Sequence, residues 1–177
     1  MKSISLSVAV LSLISLAHAQ TPVINSGGIV NAGGYSTGGV APGSIVAIFG
    51  TNLATQTSEA ASIPLPTALG DVKSVTFNGE AAPLFFVTAT QINAQVPWDA
   101  AGTESVIITN SSGSSAAQSV TIVPAMPGIF TLTANGMGQA FATDNADTAI
   151  AAPTATLAGM PAHPIKIGDY LVVCVPG

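Results

Sequence analysis

Ala41-Pro42-Gly43-Ser44-Ile45-Val46-Ala47-Ile48-Phe49-Gly50-Thr51-Asn52-Leu53 is the stretch on which the fold turns. Residues 45–49 are all apolar and stand between Gly43-Ser44 and Gly50. A continuous apolar run of strand length between turn residues reads as a buried strand. The same order recurs near the end, in Gly168-Asp169-Tyr170-Leu171-Val172-Val173-Cys174. Each copy is a glycine, a small polar turn residue, then an apolar run. The first leads into a long β-rich stretch. The second is expected to open a repeat that residues 168–177 leave unfinished.

Downstream of the first copy the pattern stays short and strand-like. Val75-Thr76-Phe77 alternates, Asn78-Gly79 follows, and residues 81–87 are apolar again. An Asn-Gly pair between two such runs is a hairpin signal, because both central residues of a type I′ turn need positive φ. Ile92-Asn93-Ala94-Gln95-Val96 alternates with period two, so Ile92, Ala94 and Val96 share one face, and Pro97 ends the strand. Residues 106–109 and 119–123 are two further strands across a polar loop at 110–115. Ile29-Val30 marks a short strand ahead of the motif, and residues 56–69, with Pro64 and Pro66, read as an irregular crossover. The best helical candidate is 146–157, interrupted by Pro153. Short strands about 10 residues apart with turn chemistry between them predict an all-β sandwich. From Ala125 the chain turns to Ala, Thr, Asn, Gly and Pro. Residues 125–167 are expected to be a connector, partly strand-like at 139–143.

The N-terminus reads as an export signal. Lys2 is the positive residue, 4–16 the apolar stretch, and Ala17-His18-Ala19 an A-x-A cleavage site. That divides the chain into a signal peptide at 1–19, a sandwich at 20–124, the connector, and the terminal strand. The apolar stretch is shorter than the roughly 20 residues a membrane span needs.

Charge excludes several partners. Only 6% of residues are charged, and there is no arginine. Beyond residue 19, Lys73 and Lys166 face eight acids, for a net charge of −6. Nucleic-acid affinity rests on Lys and Arg neutralising phosphates, and two isolated lysines do not supply it. Cys174 stands alone, so no intrachain disulfide forms. It lies in an apolar run and is expected to be a buried, inert thiol.

The quoted stretch resembles the opening of IPT/TIG domains, which are immunoglobulin-like sandwiches. The longer pattern runs through Val75 to Pro83, Gln91-Ile92-Asn93-Ala94-Gln95-Val96-Pro97-Trp98 and Pro127-Gly128-Ile129-Phe130. It is similar to a domain abundant in secreted proteins of Acidobacteria, often at the C-terminus of larger chains. The resemblance implies an immunoglobulin-like (IPT/TIG-type) β-sandwich followed by a partial second β-rich segment. It carries no catalytic residues and no cofactor.

The candidate sites are few. Trp98, next to Pro97 at a strand end, reads either as a rim aromatic that stacks on a sugar or partner, or as a side chain closing one end of the core. The second reading is the stronger. Tyr35, among Gly33, Gly34 and Gly38, is the other exposed aromatic candidate. Asn93 and Gln95 share a strand face that either binds a ligand or is simply solvated. Asp144, Asn145 and Asp147 offer oxygens to a cation such as calcium, without the glycine or distant glutamate of an EF-hand. His163, between Ala162 and Pro164, is expected to be a loop histidine. The expectation is therefore an exported, non-catalytic module for spacing or protein–protein interaction at the cell envelope or beyond. The alternatives are a carbohydrate-binding module and a subunit that assembles by strand addition through its C-terminal strand.

Overall fold

A computed structural model describes residues 20–153 and 159–176. The expected export signal, 1–19, lies outside the described residues.

The apolar run 45–49 lies in β2 (Ile45–Thr51). β2 sits second in a five-stranded antiparallel sheet, between β1 (Val23–Asn31) and β7 (Gln91–Gln95), followed by β6 (Leu84–Val87) and β3 (Ser58–Glu59). A second antiparallel sheet runs β10 (Gln118–Thr121), β8 (Thr103–Asn110), β4 (Val72–Phe77) and β5 (Glu80–Ala81), with β9 (Gly113–Ser114) paired to β8. The expected hairpin forms: Phe77 pairs with Glu80, and the loop residues Asn78 and Gly79 have φ of 44° and 93°.

The sheets pack face to face. Val46, Ile48, Ile92, Ala94, Leu84 and Val87 from one meet Val72, Val75, Phe77, Val106, Ile108 and Val120 from the other. Burying each such side chain stabilises by about 1.5–3 kcal/mol. The apolar run 81–87 is divided between the sheets. Its start lies in β5 and its end in β6, with Pro83 at the crossing. A proline there removes a donor that a continuous strand would need for its ladder.

β2 is apolar without alternation because both of its faces are covered. Val46 and Ile48 point into the sandwich, while Ala47 packs outward with Val30 and Ala32, beside Ile45, Phe49, Tyr35 and Phe130. Phe130 comes from the last third of the chain. That part builds a third sheet of β13 (Ala162–His163), β12 (Ile150–Ala151), β11 (Ala142–Asp144) and β14 (Leu171–Val173). β12 and β13 run parallel, and the other pairs are antiparallel.

Residues 125–167, expected as a connector, thus carry three strands of this sheet. The terminal run supplies the fourth: Asp144 pairs with Leu171 and Ala142 with Val173. These partners are about 30 residues apart and share no turn signal, so periodicity alone does not reveal the pairing. The helical candidate at 146–157 is corrected as well. Its described part holds a turn and β12, while 154–158 lie outside the described residues.

The third sheet is tied to the sandwich by polar groups. Ile45 N donates to Pro176 O at 2.9 Å. Asn31, fully buried, donates from Nδ2 to Met126 O at 2.7 Å and accepts from the Gly33 and Gly34 amides at 2.9 and 3.0 Å. Gly128 lies so close to Asn31 Oδ1 that no β-carbon fits between them.

Candidate functional site

Three surface features carry the residues with chemistry. The first is a platform around Gly43, at the turn into β2. Gly43 has φ +73°, and its backbone lies directly under the Trp98 ring. Its amide donates to Val96 O at 3.0 Å, and its carbonyl accepts from Gln95 Nε2 at 3.0 Å. Trp98 is 77% exposed, so one face rests on glycine and the other meets solvent. The expected core-closing tryptophan is therefore not observed. Pro97 ends β7, and the next side chain leaves the sandwich and lies across its rim. Gln95 also lines a shallow pocket of about 420 Å³ with Ile63, Pro64, Leu65, Pro83 and Phe85.

The other ligand candidates do not join that platform. Asn93 accepts a hydrogen bond from Gln91 Nε2 at 2.8 Å on the outer face of the first sheet. Tyr35 is half-buried, with its ring stacked on Phe49 at 5.9 Å between centroids. It sits at φ 53° and donates its amide to Asn31 O at 2.9 Å. The glycines around it turn the chain back onto the sheet, so Tyr35 becomes part of the outer packing of β2.

The second feature is a cluster on the third sheet. His163 Nε2 lies 3.0 Å from Asp147 Oδ2 and 4.0 Å from Asp144 Oδ2. The three ligand atoms all fall within 4.8 Å of one another. Asp144 ends β11, Asp147 is in the turn after it, and His163 is in β13. Asp144 Oδ1 accepts from Ala146 N at 2.8 Å and Asp147 Oδ1 from Ala149 N at 3.0 Å. His163 Nδ1 lies 3.1 Å from Pro164 O. That carbonyl bond first, and then Asp147, holds His163 above the usual histidine range. The Ala149 amide and then His163 hold Asp147 below the usual carboxylate range.

This grouping differs from the expected one. Asn145 is exposed and outside the cluster, and its amide is used in donating to Tyr170 O at 2.9 Å. His163 takes its place. The parallel pairing of β12 with β13 brings Ala151 beside His163. The sequence gives no signal for that approach except that Asp147 and His163 are among its few titratable groups.

The third feature is the edge of the third sheet. Ile167, Tyr170, Leu171, Val172, Val173 and Val175 are all exposed, and β14 is paired on one side only, with β11. Cys174 is exposed too, contrary to the buried thiol expected there. The apolar run forms a strand, but its sheet brings no layer to cover it.

Two antiparallel sheets packed around one apolar core, built from hairpins and crossovers, define an immunoglobulin-like β-sandwich. The chain belongs to the IPT/TIG domain family, whose model matches residues 35–123. Domains of this family are general immunoglobulin-like interaction modules. No curated protein matches the chain. β1 and the whole third sheet lie outside the matched residues; β1 pairs with β2, and Phe130 and Pro176, which flank the third sheet, reach β2. Among the described residues, no helix is long and apolar enough to cross a membrane.

Proposed function

We propose that this chain is an exported, non-catalytic interaction module that pairs with a second copy of itself by strand addition at β14. The observation that carries this reading is the exposed apolar edge from Tyr170 to Val175. A free strand edge offers unpaired N–H and C=O groups to another strand. Identical edges can pair antiparallel about a two-fold axis, as closed dimers require. Val172, Val173 and Val175 are β-branched and favour the extended backbone such pairing needs. Export is supported by the A-x-A site at 17–19 and by the resemblance to a domain of secreted Acidobacterial proteins. A non-catalytic role is supported by His163: its ring nitrogens face a carbonyl and carboxylates, not a hydroxyl.

Sedimentation over a range of concentrations tests the pairing. The full chain is expected to move from monomer to dimer, and Val172→Lys to hold it monomeric. A native chain that stays monomeric throughout would sink the reading.

One observation favours a second reading, glycan binding. Trp98 is held flat on Gly43 with its outer face open, a preorganised surface for stacking a sugar ring. A glycan array on the native chain should then give hits that Trp98→Ala abolishes. An empty array, or hits that survive Trp98→Ala, removes this alternative.

A further inference from the structure

The end of β11 with the turn after it, and β13, bring Asp144, Asp147 and His163 to one point. We propose that these residues bind a divalent first-row cation of the zinc type, which staples β11 to β13. The donor set is one imidazole nitrogen and two carboxylate oxygens, all within 4.8 Å. A nitrogen among so few protein oxygens suits zinc and its neighbours. Calcium takes six to eight oxygens and is the poorer fit.

The supporting groups already hold each ligand in a binding posture. A carbonyl oxygen can only accept, so His163 Nδ1 must carry the proton it shares with Pro164 O at 3.1 Å. Nε2 donates its proton to Asp147 Oδ2 at 3.0 Å, and a bound cation would take the place of that proton and leave the ring neutral. Histidines that bind metals are oriented in this way, by a carbonyl or carboxylate behind the ring. Each aspartate gives one oxygen to a backbone amide, at Ala146 or Ala149, and turns the other toward Nε2.

The Asp144 side chain is 5% exposed, and its Oδ2 lies 4.0 Å from the imidazole, an ion-pair distance beyond hydrogen-bond range. Among the described residues no lysine pairs with either aspartate. Two carboxylates and a neutral imidazole carry the charge that one divalent ion cancels.

The sheet also gains from such a staple. Its buried apolar residues are Ala142, Ala149, Ile150 and Ala152, which are mostly small. Binding free energy that depends on the folded site adds to stability.

Calorimetric titration of the chelator-treated full chain with Zn²⁺ tests the site, beside thermal melts and nitrogen NMR of the His163 ring. A single saturable Zn²⁺ site is expected, with a raised melting temperature and a shifted Nε2 resonance. Asp144→Asn keeps the Ala146 hydrogen bond, and it and His163→Ala should each weaken binding by about tenfold or more. An unchanged far-ultraviolet circular dichroism spectrum with a cooperative thermal melt would show that the sandwich of each variant is intact. Zn²⁺ binding unaffected by both substitutions overturns the proposal, and so does an Nε2 resonance that stays put at saturating metal. The NMR arm uses the unaltered chain and stands even if a variant does not fold.

Discussion

Asn31 Nδ2 reaches the Met126 carbonyl at 2.7 Å, across 95 residues of chain, from a side chain with no solvent exposure. This contact ties the end of β1 to the segment that leads from the sandwich into the third sheet. The same amide oxygen shapes the Gly33–Gly34 turn. One side chain therefore sets both the end of β1 and the path of the chain leaving the sandwich.

Asn31→Ala is expected to remove all three hydrogen bonds and leave buried amides and a carbonyl unpaired. Such groups cost about 1–3 kcal/mol when unsatisfied. Urea denaturation should show a loss in that range. A loss within error of zero would mean that water or a backbone shift replaces the side chain.

Gly43 and Trp98 give contrasting expectations. Gly43→Ala places a β-carbon into the indole ring and forces a side chain into positive φ. A loss of about 1 kcal/mol or more is expected from the backbone alone. Trp98→Ala removes an exposed ring and should stay within about 0.5 kcal/mol of the native chain. Trp98 is the sole tryptophan, so its emission reports directly on the platform. Native emission should be red-shifted and readily quenched by acrylamide, and Gly43→Ala should alter both. A blue, protected emission would contradict the exposed ring.

Phe77 is the largest fully buried side chain and bridges the two sheets of the sandwich. Phe77→Ala should cost about 3–5 kcal/mol by leaving a cavity between the layers. Chemical denaturation measures it, and a cost below that range would mean the core collapses into the space.

Glu80 predicts a pH dependence. Its carboxyl shares a hydrogen bond with Asp99, which requires a proton, and burial together with the charges of Asp99 and Glu104 adds to the effect. All of these raise Glu80 above its ordinary value of 4.5. The folded chain thus holds this proton more tightly than the unfolded chain. The contribution to stability is full below the ordinary value and lost as pH rises through the raised one. Glu80→Gln should therefore be the more stable form at neutral pH and lose that advantage in acid. Melting temperatures of both proteins across the acid range check this, and parallel curves would contradict it.

Export predicts a mature N-terminus at Gln20, which N-terminal sequencing of material secreted by an expressing cell reads directly. An intact Met1 on secreted protein would refute the cleavage site.

The sequence by itself determined the sandwich, because the determining signals are local. Asn78-Gly79 can make a tight turn from its own backbone preferences. Residues 91–96 carry the alternation that a half-buried strand needs, and the unalternating run at 45–49 announces a strand covered on both sides. What covers the outer side of that run was decided only in three dimensions. Phe130 and Pro176 come from far along the chain, and no local preference links them to β2. The same holds for the surface sites. Trp98 is exposed because the chain turns at Pro97, and Tyr35 is half-buried because its loop folds back onto Phe49. His163 meets Asp147 because β12 and β13 pair in parallel, a contact set by long-range register. Where the glycine-led motif recurs, a strand forms at 171–173, and it completes the third sheet. Its partner, β11, lies inside the stretch that reads as a connector, because strands of two or three residues are too short to leave a pattern.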